Sequence, residues 1–255
     1  MKELKEIEKS IQKKYRKEIF SRFVRAVKDF NLIEENDVIG VCISGGKDSF
    51  LLAKCMQELK RHNKFHFDIK YIVMDPGYTK EKLEHLKKTA EYLNIPITIF
   101  ESNIFDVIKD SDSPCFLCAR MRRGALYAKA QELGCNKIAL GHHFNDVIET
   151  ILLNIIYNGK FSGMLPILDS DNFENMKLIR PMFYIKEKDI ISWTKYIEIE
   201  FLDCACRVTK MNIGKRKEVK KLIENLVEQY ENTDINILNS MFHVNPKTTF
   251  MDKDI

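Results

Sequence analysis

The sequence predicts an α/β fold: a parallel sheet flanked by helices, with an N-terminal helix and a small helical C-terminal extension. Two observations carry that expectation. Short apolar runs alternate along the chain with longer amphipathic segments, the order that builds a parallel sheet with helical crossovers. Runs such as "DVIGVCIS" and "FDIKYIVMD" are apolar at successive positions instead of every second one, as strands covered on both faces are.

Residues 2–30 read as one long helix, with Ile7, Ile11, Tyr15, Ile19, Phe20, Phe23, Val24 and Val27 at helical spacing. Asp37–Ser44 is the first strand, and a Gly-Gly loop follows it. The next helix carries Leu52, Cys55, Met56 and Leu59 on one stripe. Phe67–Asp75 is the second strand, a helix spans Lys80–Leu93, and "IPITIF" (Ile95–Phe100) is a short third strand. "CFLCARMRRGALYAKAQELG" runs as a helix that Gly134 is placed to cap. "KIALG" (Lys137–Gly141) is a fourth strand, leading into a helix from about His143 to Tyr157. "NGKFSGMLPILDSDN" reads as a loop and "KLIRPM" (Lys177–Met182) as a short strand. Helices are expected at about Lys186–Tyr196, Lys215–Gln229 and Thr233–Phe242. The expected division is a basic helix over 1–30, the sheet domain over 31–200 and an extension over 201–255. Ligands in parallel sheets bind at the carboxyl ends of strands, near a switch in strand order, and Ser44 and Gly141 both stand at such ends.

At 255 residues, 45% hydrophobic and 31% charged, the chain has the composition of a folded globular protein with a sizeable core. No run approaches the ~20 apolar residues of a membrane helix, and "MKELKEIEKSIQKKYRKEIF" lacks the apolar core of a secretory signal. A cytoplasmic location is expected. The net charge of +4 identifies no partner, but its distribution is uneven. Residues 1–30 hold ten Lys/Arg against five Asp/Glu, "GKRKEVKK" (Gly214–Lys221) is a second cluster, and Arg120, Arg122 and Arg123 form a third. Separated basic patches suit a polyanion, and solvated helix faces explain any one of them equally well.

The loop "SGGKDS" (Ser44–Ser49) carries the first chemistry. Glycines after a strand let successive N–H groups point into one concavity, and the following helix aims its positive end there. Lys47 adds a charge; Ser44 and Ser49 add hydroxyls. A plain strand-to-helix turn needs none of these, so phosphate binding is expected. The second constellation, "LGHHFNDVIET", places Gly141, His142 and His143 where a strand ends and Asp146 in the helix beyond. Asp146 is an expected ligand of Mg²⁺, which takes oxygen donors. His142 and His143 are expected to position phosphate or adenylate.

Cysteines form the third constellation. Of seven, Cys42, Cys55 and Cys135 stand singly in apolar or helical patterns and read as core residues. Cys115 and Cys118 form C-x-x-C, and Cys204 and Cys206 form C-x-C. An odd count without a secretory signal argues for reduced thiols. Spacing alone leaves a structural zinc site and an iron–sulfur cluster level.

"SGGKDS" directly after an apolar strand resembles the pyrophosphate loop of the N-type ATP pyrophosphatases. That resemblance implies a Rossmann-like sheet of the adenine nucleotide alpha hydrolase type. It also implies cleavage of ATP between its α and β phosphates, with adenylation of a carbonyl oxygen. "PCFLCARMRRGALYAKAQELGCNKIALGHHFNDVIETILLNIIYNGKFSGM", "LIRPMFYIKEKDI" and "FNLIEENDVIGVCISGGKDS" together are similar to the tRNA 2-thiocytidine synthetases, over roughly residues 20–245. The resemblance implies ATP, Mg²⁺ and a [4Fe–4S] cluster held by Cys115, Cys118 and one distant cysteine. Aligning "FLDCACRV" favours Cys204 for the third ligand, with Cys206 the alternative. It further implies that Ser44, Gly45, Gly46, Lys47, Asp48 and Ser49 bind ATP, that Lys47, Asp48 and Asp146 serve catalysis, and that tRNA is the substrate. A cysteine desulfurase or other sulfur donor and a homodimer are the remaining expected partners. The alternatives are a thiolase for another base or a small molecule, and a redox sensor that binds ATP without turning it over.

Overall fold

The computed structural model describes residues 2–62, 64–102, 114–202 and 213–248, without the side chains of 114–120 and 213. Six strands form one sheet in the order β3-β2-β1-β4-β6-β5: β1 Val38–Ile43, β2 Asp68–Asp75, β3 Ile97–Glu101, β4 Lys137–Ala139, β5 Ile167–Asp169 and β6 Lys177–Ile179. β1 pairs in parallel with β2 on one side and β4 on the other. The chain steps outward from β1 through β2 to β3, then returns to the far side of β1. That reversal opens the crevice between the carboxyl ends of β1 and β4. β1 is buried over almost its whole length, which is why its sequence shows no alternation.

The helices among the described residues are α1 Leu4–Gln12, α2 Ser21–Asp29, α3 Lys47–His62, α4 Lys80–Tyr92, α5 Pro114–Glu132, α6 Phe144–Asn158, α7 Glu187–Ile197, α8 Ile213–Gln229 and α9 Thr233–Ser240. The expected single helix over residues 2–30 is interrupted: a turn follows α1, and Arg16–Phe20 form a π-helical segment before α2. The cause is legible in the spacing. Ile7, Ile11, Tyr15, Ile19, Phe23 and Val27 recur every fourth residue, and all are buried. On an α-helix each such step drifts about 40° around the axis, so five steps would carry the stripe off the core. Wider turns, with Tyr15 N–H bonded to Ser10 O at 2.8 Å and Phe20 N–H to Tyr15 O at 3.4 Å, bring it back.

This segment is part of the core. Ile7, Ile19 and Phe23 are fully buried, each worth about 1.5–3 kcal/mol. Trp193 of α7 donates its Nε1–H to Ser10 Oγ at 3.1 Å, and the buried Lys54 ammonium of α3 holds Glu8 at 2.7 Å. The cations Lys5, Lys9, Lys13, Arg16 and Lys17 remain on the outer face. β5, which falls within the stretch read as a loop, is a three-residue strand antiparallel to β6. It is too short and too exposed to show a period.

The chain divides into two compact units, Met1–Phe144 with Leu165–Thr209, and Asn145–Met164 with Lys210–Ile255. The first holds the sheet and α1–α5 and α7. In the second, α6 beyond its first residue accompanies α8 and α9, and the Gly163 backbone lies against Ile151, where a Cβ would come within 2.9 Å of Cγ1. Among the described residues no helix is long and apolar enough to cross a membrane.

The amino ends of β1 and β4 are joined by a buried polar knot. Lys137 Nζ lies 2.7 Å from Asp37 Oδ2 and 2.9 Å from Glu34 Oε2, and Asp37 Oδ1 accepts from Asn136 Nδ2 at 2.7 Å. Asn136 Oδ1 in turn accepts from Val38 N–H. Removing one partner strands a buried charge, which costs about 3–5 kcal/mol. Lys137→Met should therefore lose about that much in urea unfolding, while Lys137→Met combined with Asp37→Asn loses far less. A single-variant loss below ~1 kcal/mol would show that the pair is not holding the two strands.

Candidate active site

β1 delivers the chain into Ser44-Gly45-Gly46, and α3 begins at Lys47. Gly45 has φ +87°, a left-handed conformation that glycine adopts without strain, and a Cβ there would lie 2.9 Å from Leu202 Cδ1 and 3.2 Å from Leu86 Cδ1. The turn is tied internally: Ser49 Oγ donates to Gly46 O at 2.8 Å and accepts from Ser44 N–H at 3.2 Å. On its outer side Tyr78 Oη donates to Ser44 O at 3.1 Å and Leu202 N–H to Gly45 O at 3.1 Å. These carbonyls are occupied, whereas the first N–H groups of α3 have no acceptor within the helix. The result is a concavity of donors at the positive end of a 16-residue helix.

The opposite wall is the end of β4. Gly141 packs so close to α3 that a Cβ would sit 3.2 Å from Asp48 C and 3.3 Å from Ser49 N. His143 is buried, with Nε2 4.0 Å from Asp48 Oδ1, and His142 is half-exposed at the same strand end. Lys47 Nζ pairs with Asp48 Oδ2 at 3.1 Å. Asp48 Oδ1 is shut off from solvent and has no hydrogen-bond partner among the described residues. A carboxylate oxygen left so is costly until a cation or donor meets it. Beside this concavity of N–H donors, its chemistry fits a hard divalent ion such as Mg²⁺.

Thus Ser44, Gly45, Gly46, Lys47, Asp48, Ser49, Gly141 and His143 come together in the first unit. Asp146 lies in the second unit, where its Oδ1 is 2.7 Å from Arg216 Nη2. Arg216 Nε grips Glu149 Oε2 at 2.7 Å, so one guanidinium spans two carboxylates a turn apart. Burial pushes the Glu149 carboxyl above its ordinary range, and Arg216 opposes that rise.

Cys115 and Cys118 fall in the first turn of α5, three residues apart and so on one side of the helix. Their side chains, and Cys204 and Cys206 altogether, lie outside the described residues. The other three thiols are unsuited to ligation. Cys42, Cys55 and Cys135 are buried, and burial pushes Cys42 up to about 12, Cys135 up to about 11 and Cys55 upward as well. A metal ligand must be a thiolate, so the donor set reduces to the four clustered cysteines. Sequence reasoning missed Tyr78, Leu202 and Arg216. Only "MDPGY", whose Asp75 Oδ1 accepts from Gly77 N–H and Tyr78 N–H, signals the turn that presents Tyr78.

Two outcomes follow. Gly141→Ala forces the α3 backbone back by a few tenths of an ångström, so binding of an ATP analogue by calorimetry should weaken about tenfold or more with little change in Tm. Unaltered affinity would mean that the loop does not hold the nucleotide. For Glu149 the folded carboxyl lies above its unfolded value of 4.5, so the folded state binds the proton more tightly. Its contribution to stability is greatest below that value and declines as pH rises through the folded one. Glu149→Gln should gain stability relative to the parent as pH rises above 4.5, and a pH-independent difference would contradict the assignment.

The chain's similarities agree with this geometry. Residues 11–209 match the family model of the PP-loop domain. The tRNA-cytidine(32) 2-sulfurtransferase of Paraburkholderia phymatum is 37% identical over 240 residues, covering 89% of this chain and 70% of that protein. The enzyme of the same name from Aeromonas salmonicida is 39% identical over 207 residues, covering 78% and 67%. The fold is similar to that of the U34-tRNA thiolase NcsA from Methanococcus maripaludis, solved with its [4Fe–4S] cluster, with TM-score 0.70 and 19% identity over 88% of this chain and 79% of that one. The chain belongs to the PP-loop family, in the group of the tRNA-cytidine(32) 2-sulfurtransferases.

Proposed function

We propose that this protein is an ATP-dependent tRNA sulfurtransferase that replaces the C2 oxygen of an anticodon-loop cytidine with sulfur. The observation that carries the reading is the Ser44–Ser49 loop meeting Gly141–His143 at the reversal of strand order, in a chain 37% identical to enzymes of that name. The loop N–H groups and Lys47 bind the phosphates and take up charge on the departing pyrophosphate. Asp48 would hold Mg²⁺ through the oxygen that has no hydrogen-bond partner among the described residues, and His143 stands beside it to position the α-phosphate. The base oxygen attacks the α-phosphorus, and the bond to pyrophosphate breaks. AMP is then the group displaced from C2, a far better leaving group than the bare oxygen. Cys115, Cys118 and Cys204 hold the [4Fe–4S] cluster, which supplies sulfur delivery when bound. The exposed cations of the N-terminal segment and Arg122 and Arg123 of α5 suit the tRNA backbone. A cytoplasmic location, a cysteine desulfurase or other sulfur donor, and a homodimer accord with such a substrate.

The test is expression in a bacterial strain without its own 2-thiocytidine synthetase, followed by mass spectrometry of tRNA nucleosides. 2-Thiocytidine should return with the wild-type chain and with Cys135→Ser, and stay absent with Cys115→Ser. In vitro, Asp48→Asn should cut tRNA-dependent AMP release about 100-fold or more. Persistent absence of 2-thiocytidine with folded, metal-loaded protein would overturn the substrate assignment.

A further inference from the structure

The N-terminal segment carries two lines of side chains with one period. Counting by four from Ile7 gives Ile7, Ile11, Tyr15 and Ile19, all buried; counting by four from Lys5 gives Lys5, Lys9, Lys13 and Lys17, all exposed. An offset of two residues is about 200° around a helix, so the lysines run along the face opposite the core. An unbroken α-helix would wind both lines round the axis by about 40° at each step. The wider turns around Tyr15 and Phe20 that return the apolar line to the core return the lysines to one line with it. The outer face thus holds a cation about every 6 Å over roughly 18 Å, and exposed Arg16 precedes the last of them. The acids of α1 are turned elsewhere. Glu6 lies 3.1 Å from Lys2 Nζ and accepts from Tyr196 Oη at 2.9 Å, and Glu8 stands between Lys54 and Arg61 at 2.7 and 2.9 Å. Lys5, Lys9, Lys13, Arg16 and Lys17 have no ion-pair partner among the described residues. A face made only for solubility gains from i,i+4 pairs of opposite sign; here each such neighbour along the line is another lysine, and like charges at that spacing repel.

We propose that this lysine line docks the phosphate backbone of a base-paired stem of the tRNA substrate, apart from the nucleotide that reacts. Evenly spaced point charges on flexible stems match the regular succession of phosphates along one strand of a stem. They offer nothing that reads base edges, so the face positions the RNA without selecting its sequence. A lipid surface has the same charge, but a helix that lies on one must bury its own apolar side in it. Here Ile7, Ile11 and Ile19 are already buried in the protein core. The segment also stands away from the phosphate loop. Glu8 meets α3 at Lys54 and Arg61, about 10 and 21 Å along that helix from Lys47. A stem held on this flank leaves the crevice free for the unpaired base. The proposal deepens, and rests on, the reading that tRNA is the substrate.

The experiment measures binding of an unmodified tRNA transcript to the full-length chain by fluorescence anisotropy, from about 50 to 200 mM salt. Lys9→Glu with Lys13→Glu is compared with Lys88→Glu with Lys195→Glu, which changes the net charge equally at exposed lysines of α4 and α7. The first pair should weaken tRNA binding about tenfold or more at the lower salt and flatten the slope of log Kd against log salt by about two, one for each lysine. The second pair should move neither, and both should keep the parental Tm. A single-stranded oligonucleotide of anticodon-loop sequence, which has no stem, should bind the parent and the first pair alike. In turnover the first pair should raise KM for tRNA and leave kcat unchanged. Equal tRNA affinity in the two double variants, or an equal loss of affinity for the oligonucleotide, overturns the proposal. Loss of binding to phosphatidylglycerol vesicles with tRNA affinity intact overturns it in favour of a membrane surface. A parent chain that binds tRNA through this face and makes no 2-thiocytidine would instead overturn the functional reading and leave the docking face in place.

Discussion

The arrangement of the site depends on the contact between Gly141 and the Asp48–Ser49 backbone. β4 lies beside β1, and the helix that follows β1 must start almost on top of the end of β4. No side chain larger than hydrogen fits between them without backbone movement, the Cβ distances being 3.2 and 3.3 Å. That approach sets Asp48 within 4.0 Å of His143 and turns the first N–H groups of α3 into the crevice. The reversal of strand order creates the crevice, and the glycine allows its walls to close to the scale of a phosphate group.

The same economy governs the loop's other side. Ser49 does structural work inside the turn, and Tyr78 and Leu202 occupy the carbonyls of Ser44 and Gly45. With acceptors satisfied from behind, the donors are what the turn offers to a ligand. Farther back, Lys137, Asp37, Glu34 and Asn136 lock the amino ends of β1 and β4. The register Ile39–Lys137, Gly40–Ile138, Val41–Ala139 that aligns the two carboxyl ends is therefore fixed at both extremities. The second unit has its own charged knot, in which Arg216 bridges Asp146 and Glu149.

Local signals reported the elements well. Continuous apolar runs marked β1 and β2 because both faces are covered, and "SGGKDS" marked the strand-to-helix turn because a left-handed residue followed by a helix start has few sequence solutions. They failed where the physics was not local. The four-residue recurrence from Ile7 to Val27 reads as one helix, yet holding it against a fixed core requires π-helical turns. β5 has three residues and gains its identity from β6. Arg216, Tyr78 and Leu202 are ordinary in sequence, because what distinguishes each is a partner far along the chain.

The sequence by itself determined the fold class, the phosphate loop and the separation of four clustered cysteines from three core ones, since each is written in neighbouring residues. Tertiary structure decided which strand ends meet, that Asp48 carries an oxygen without a hydrogen-bond partner among the described residues, that Asp146 is held by Arg216, and that Leu202 braces Gly45. Those outcomes depend on distances between segments separated by up to about 160 residues. Such distances follow from how the sheet is ordered and packed, which no local pattern of side chains encodes.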